Sequence, residues 1–300
     1  MYKFGIIGAG LLGRLAAFFL NKSGYEVNVY EKSESKPATG QLRSAAFTSA
    51  GMLSPLSEKE SGGDLIYDLG YKSMKIWPKI DSSLTQLLGN GLGLKILGSL
   101  FICSPNEEPY TRRLFNKLSF YEDPISRKKI KTLEPNLSGN FKIWLVEDEG
   151  HLNPLIAMES LYKGTLISKN KEKIKWNFNY PIYDFGPGWI KGKTKKFFFD
   201  WVFDFRGVSA KEEKIRGVRG ENFILNTSHG FELFHPIRFV HPRHRVYLVP
   251  VSSDKILVGS TEIESEDLSP VTLQSTLDLL GIAKYIFPEL AEARIISTDV

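Results

Sequence analysis

The stretch from Tyr2 to Glu31 constrains the fold more than any other part of the chain. Tyr2 to Ile7 is a short apolar run suited to a buried strand, and Gly8-Ala-Gly10-Leu-Leu-Gly13 follows it. Apolar residues then recur at helical spacing as far as Leu20. After Gly24 a second strand, Glu26 to Tyr30, ends on Glu31. Strand, glycine turn, helix, strand and acid in this order predict a βαβ nucleotide-binding unit. Gly8 allows the tight turn out of the strand, Gly10 lets backbone approach a pyrophosphate, and Gly13 lets the helix pack on the sheet. The amides at the helix start, around Leu11 and Leu12, face an anion with the positive end of the helix dipole behind them. Glu31, with Lys32 beside it, is placed to meet ribose hydroxyls, and its carboxylate disfavours the 2′-phosphate of NADP. FAD and NAD both remain open at this point.

The segment Arg43 to Glu58 reads RSAAFTSAGMLSPLSE. One reading is a loop and a helix start, with Ser and Thr capping and Pro55 interrupting regular structure. The other is a loop whose amides and hydroxyls, from Thr48, Ser49, Ala50, Gly51, Met52 and Leu53, line a flat ring system. An NAD-dependent dehydrogenase has no need of such a loop directly after its second strand.

Composition excludes several classes. The single cysteine, Cys103, permits no internal disulfide and suits a reducing, cytoplasmic setting. A net charge of +5 is spread among 39 basic and 34 acidic residues, so no basic face for nucleic acid is expected. Lys191-Gly-Lys-Thr-Lys-Lys196 reads as the solvated end of a hairpin. No run reaches the roughly 18 apolar residues of a membrane span. Arg14 breaks the apolar N-terminal stretch, which reads as strand and helix, not as a signal peptide. His241 and His244 flank a turn with no ligand-spaced partner, so no metal site is expected.

Further along, Val246-Tyr-Leu-Val-Pro250 and Lys255-Ile-Leu-Val-Gly-Ser-Thr261 are strand-like runs around a short turn, as in a hairpin. Ser269-Pro270 reads as a helix cap, with Leu273, Leu277 and Leu280 at helical spacing after it.

Taken with these segments, Thr48-Ser-Ala-Gly-Met-Leu53 and Glu58 resemble the D-amino acid oxidase superfamily, and within it the glycine oxidases of thiamine biosynthesis. Glu147 to Pro154, Trp201-Val-Phe-Asp-Phe-Arg-Gly207, Arg216 to Glu221, and Pro236 to Pro250 continued by Val258 to Ser265 are similar to family segments in the same order. The resemblance implies an α/β chain, α+β overall: a Rossmann-like FAD-binding domain over 1–79 and 148–212, and an antiparallel-sheet substrate domain over 80–147 and 213–300. It also implies FAD as cofactor, with Ile182, Arg206 and Gly207 joining the expected cofactor contacts.

The implied reaction is oxidation of glycine or a similar small amine. Hydride passes from the substrate Cα to the flavin, the imine hydrolyses with release of ammonia, and oxygen is reduced to hydrogen peroxide. No strong base is required if the amine binds unprotonated. The resemblance gives Tyr247 a role in holding the substrate carboxylate, beside an arginine in a motif that follows the family's equivalent of Ser297 to Val300. It therefore predicts a chain cut short before its FAD domain closes. Arg238, Arg243 and Arg245 read as surface or loop residues. A homo-oligomer, and delivery of the imine to a thiazole-forming enzyme, are further implications. The competing readings are a non-catalytic flavin-binding relative and, less consistent with 43–58 and 236–265, an NAD-dependent dehydrogenase.

Overall fold

The computed structural model describes residues 1–37, 43–210, 215–227 and 230–300. The chain divides into two compact units, one formed by Met1–Ser49, Lys79–Gly93 and Asn153–Arg216, the other by Ala50–Pro78, Leu94–Leu152 and Gly217–Val300.

The first unit is built on four parallel strands in the order Trp201–Asp204, Lys3–Ile7, Glu26–Tyr30, Ile174–Asn177. Alternation along the strands sends Ile6, Val27 and Val29 to one face, where they pack with Ala17 of the helix Leu11–Lys22. Ile7 and Tyr30 point to the other face and meet Ile190 and Phe199 of a small antiparallel meander. Gly5 makes this approach possible, since a Cβ there would lie 2.7 Å from both Ile190 and Phe199. Lys191 pairs with Lys196 across the meander's turn, so the lysine cluster is a hairpin end. The helix Pro154–Ile167 starts where expected, with the Asn153 side chain accepting from the Ile156 amide at 3.1 Å.

The second unit carries a seven-stranded sheet in the order Arg294–Asp299, Asn222–Asn226, Lys255–Gly259, Arg245–Ser252, Ile237–Val240, Ser99–Cys103, Lys142–Val146. All neighbours are antiparallel except Ile237–Val240 with Ser99–Cys103. The expected hairpin is present, with Val249 opposite Leu257. One face of the sheet buries Leu100, Ile102, Phe239 and Leu248 with Ala283 and Ile286 of the helix Leu273–Ile286, and the other buries Phe101 and Trp144 with Leu56 and Phe115. The turn into Ile237–Val240 is pinned by buried Glu134, whose Oε1 accepts from the amides of Phe234 and His235 and contacts His235 Nδ1 at 2.9 Å.

Several expectations shift. The helix after Pro270 begins at Leu273 with Thr272, not Ser269, as its cap, because Glu221 accepts from the Thr272 amide while Arg219 holds the Pro270 carbonyl. Its buried positions are Ser275, Leu279, Ala283 and Ile286, so Leu273 and Leu277 face solvent. Pro55 starts a helix, Pro55–Met74, instead of ending one, as its fixed φ allows at the first helical position.

The units also divide the chain differently from the sequence reading. Residues 50–78 group with the large sheet because Met52 and Leu53 pair with His151 and Gly150. Residues 79–93 group with the parallel sheet because Ser160 bonds the Gly91 carbonyl and Leu84 packs where a Cβ on Gly164 would be. The expected boundary at 212 and 213 lies outside the described residues.

Candidate functional site

In the first unit the nucleotide motif gathers at the carboxyl ends of three strands, where ligands of open parallel sheets bind. Gly8 has φ +99 and its amide donates to the Tyr30 carbonyl at 2.8 Å; a side chain there would overlap the Phe205 carbonyl. A Cβ on Gly13 would overlap the carbonyl oxygen of Gly8, so helix and strand touch backbone to backbone. At Gly10 the nearest atom to a Cβ would be Ser44 Cβ, at 3.3 Å. The Gly10 cap makes no side-chain hydrogen bond and the first turn holds no acid, which leaves the opening amides of the helix for an anion. Glu31 is fixed by its own loop, taking the Ala9 amide on Oε2 at 2.8 Å and the Ser33 amide on Oε1 at 3.0 Å. A carboxylate has about four acceptor sites, so ribose hydroxyls still find lone pairs there.

Other expected contacts are more dispersed. Lys32 Nζ lies 3.0 Å from Ser209 Oγ. Arg206 forks onto Asp204 at 2.8 and 2.9 Å and lies over Phe185, while Gly207, at φ +58, has open space around it. Ile182 packs with Tyr30 and Phe199. Leu11 and Leu12 open the helix Leu11–Lys22, and the Leu12 side chain is exposed. The hydroxyls of Thr48 and Ser49 donate to the Ala45 and Ala46 carbonyls. Gly51 takes φ +70 and accepts from the Leu152 amide, while Ala50 stands between these two groups in the chain.

Sequence reasoning passed over Arg14, which is 2 % exposed beneath this turn. Its guanidinium donates to Ala9 O at 2.9 Å, Met158 O at 2.6 Å and Ser35 O, and lies over the Phe47 and Tyr162 rings. Burial pushes it down to about 10 against the pull of Glu31, so it stays charged at neutral pH and ties the glycine turn to the helix Pro154–Ile167. Its one signal in the sequence was an arginine in an otherwise apolar helix.

The second unit contains a cavity of ≈ 100 Å³, space for roughly half a dozen water-sized groups. Tyr247 and Arg238 sit in it with three carboxylates, Glu58, Glu60 and Glu262, and Arg245 at its edge. The Tyr247 ring has room because Gly259 lies opposite; a Cβ there would come within 2.9 Å of the ring. Burial pushes the Tyr247 phenol above its ordinary range, with the Ser260 hydroxyl and Arg238 acting in the other direction, so it is a protonated donor at neutral pH. Arg238, expected at the surface, stands on the strand Ile237–Val240 opposite Tyr247, with Nη2 3.4 Å from Glu58. Arg245 is more exposed and is held by Glu60 at 3.3 Å and Glu262 at 3.7 Å.

Glu149, another residue passed over, supports this cavity from behind. It is 1 % exposed and accepts from the Leu56 amide at 3.1 Å and from the Ser99 hydroxyl. Ser54, the cap of the helix Pro55–Met74, makes no side-chain bond, so Glu149 serves the helix start that carries Glu58 and Glu60. Burial pushes Glu149 up to about 7, opposed by Ser99, Arg238 and the helix amides.

Comparison with known proteins settles the family. The family model described as FAD dependent oxidoreductase, DAO, matches residues 3–170, more than half of the chain. The chain belongs to the DAO family of FAD-dependent oxidoreductases. FAD is thus its cofactor, and the turn at Gly8 to Gly13 with Glu31 fits the nucleotide end of that group. A Rhizobium etli protein named as a thiamine biosynthesis oxidoreductase, ThiO, is 28% identical over 294 residues, covering 97% of this chain and 80% of that one. The fold is that of glycine oxidase from Bacillus cereus (TM-score 0.82, 18% identity, 99% of this chain and 83% of that one) and from Geobacillus kaustophilus (0.80, 18%, 99% and 81%). Iminodiacetate oxidase from Chelativorans shares it too, at a TM-score of 0.78 and 18% identity over 99% and 82% of the two chains. No helix among the described residues is long and apolar enough to cross a membrane.

Proposed function

We propose that this oxidoreductase is an amino acid oxidase acting on glycine or a similarly small amine, with an imine as its first product. The small two-signed cavity around Tyr247 carries this reading. Bound FAD would supply the oxidising power for the substrate Cα–H, with oxygen as the final electron acceptor. The side chains of the cavity bind and orient: Tyr247 donates its hydroxyl to the substrate carboxylate, and the acidic wall of Glu58, Glu60 and Glu262 faces the amine. Because the substrate Cα–H leaves as hydride, this chemistry calls on these side chains to bind and orient the substrate and does not require a strong base. The likeness to ThiO adds support for supplying the imine to thiazole formation.

The test is glycine-dependent hydrogen peroxide production by the FAD-loaded protein, with sarcosine and larger amino acids for comparison. Absence of peroxide with every small amino acid would sink the reading. Replacing Tyr247 by Phe removes one hydrogen bond to a charged group, worth about 1.5–3 kcal/mol. The apparent KM for glycine should therefore rise at least about tenfold with kcat changed less. An unchanged KM would make Tyr247 structural.

A further inference from the structure

Arg14 is a buried cation without a counter-charge. Its guanidinium donates to three carbonyls, those of Ala9, Met158 and Ser35, and lies over the Phe47 and Tyr162 rings, so its contacts among the described residues are with neutral groups. The two acids that act on it from further off are engaged elsewhere. Glu31 takes the Ala9 and Ser33 amides, and Glu159 is shared by Lys163 at 2.7 Å and Lys36 at 3.6 Å. Three carbonyls satisfy the donors of Arg14 but not its charge, and a charge taken out of water without an opposite partner is costly.

Its place in the first unit is specific. Ala9 is held from both sides, its amide by the Glu31 carboxylate at 2.8 Å and its carbonyl by Arg14 Nε at 2.9 Å. The Gly10 amide belongs to the same peptide as the Ala9 carbonyl and has no acceptor among the described residues. A hydrogen bond to that carbonyl polarises the peptide and strengthens its N–H as a donor.

We propose that Arg14 is a positioning residue for the cofactor's pyrophosphate, whose negative charge it balances from beneath the glycine turn while its bond to Ala9 aims the Gly10 amide. Being 2 % exposed, it acts through the Ala9–Gly10 peptide and through its charge. The inference rests on the nucleotide end of FAD lying at this turn and is independent of the substrate.

The test is calorimetric titration of the full chain, freed of FAD, with ADP, which carries the pyrophosphate, and with adenosine, which does not. Arg14→Met should weaken ADP binding at least about tenfold, the effect of removing a unit charge from a poorly screened site, and leave adenosine binding unchanged. A purely structural loss would lower both together. Arg14→Lys is the second variant should Arg14→Met not fold. A buried lysine sheds its proton more readily than an arginine, so between about pH 7 and 9 its ADP affinity should fall relative to the parent, with adenosine unaffected. The parent keeps its charge over that range, because burial lowers Arg14 only to about 10. Equal ADP affinity in Arg14→Met and the parent, or ADP and adenosine weakening in step in either variant, would overturn the assignment. Gly10→Ala is the control for the site. Weakened ADP binding there with Arg14→Met unchanged would overturn this inference alone, whereas unchanged ADP binding in Gly10→Ala would overturn the placing of the pyrophosphate at the turn.

Discussion

Gly10→Ala and Gly13→Ala should part company, the first losing FAD from a folded protein and the second losing stability as well. At Gly10 the backbone is extended, with φ −70 and ψ −168, a conformation alanine adopts freely. The new methyl would meet only the Ser44 side chain, at 3.3 Å from its Cβ, which can yield by a few tenths of an ångström. Stability should stay within about 0.5 kcal/mol, while backbone approach to the pyrophosphate is blocked. Losing one or two amide bonds to a charged group, at about 1.5–3 kcal/mol each, weakens FAD binding on the order of a hundredfold. At Gly13 the methyl would overlap the Gly8 carbonyl, which no side-chain rotation relieves. Helix and strand must separate, costing about 1–3 kcal/mol or more. FAD titration of the apoprotein and thermal unfolding of both variants make the comparison. A Gly10→Ala protein that binds FAD as tightly as the parent would remove the turn from the cofactor site.

The second large effect concerns Glu149 and His151, two buried neighbours that titrate in opposite senses. Burial pushes Glu149 up from 4.5 to about 7 and His151 down from 6.5 to about 4, the latter helped by Lys95 and His235. Between pH 4.5 and 7 the folded chain keeps a proton on Glu149 that the unfolded chain releases, so this residue makes stability fall as pH rises. Between pH 4 and 6.5 the unfolded chain takes up a proton at residue 151 that the folded chain refuses, so His151 makes stability rise over that range. Each effect is on the order of 3 kcal/mol, and in the parent they largely offset one another. Glu149→Gln should unmask a rise in stability from pH 4 to 6.5, and His151→Leu a fall from pH 4.5 to 7. Denaturant midpoints measured across this range decide it. Parallel profiles for the parent and both variants would clear these residues of any part in the pH dependence.

Glu149 also marks the limit of what reading along the chain can reveal. A glutamate between Asp148 and Gly150 looks like a solvated turn, and nothing local indicates burial. Its environment comes from Leu56 and Ser99, which are 93 and 50 positions away. Arg238 was misjudged for the same reason. Its neighbours in sequence suggest a strand end near a basic turn, whereas its position beside Tyr247 depends on the register of two strands and on a helix bearing Glu58 from the far side of the sequence. The division of 50–78 and 79–93 between the units was equally hidden, being decided by a two-residue strand pairing and by a helix packed through Gly164.

What the sequence determined by itself was local and periodic: the strand, glycine turn, helix and acid of the nucleotide site, the Val246 to Thr261 hairpin, the helix after Asn153, and through their order the family. Those features rest on backbone conformation and nearest neighbours, which short stretches encode directly. Only the tertiary structure decided which charges are buried, which donors are left unpaired and which side chains share the cavity. Burial and pairing are set by groups distant along the chain, and the chemistry of Arg238, Tyr247 and Glu149 follows from them.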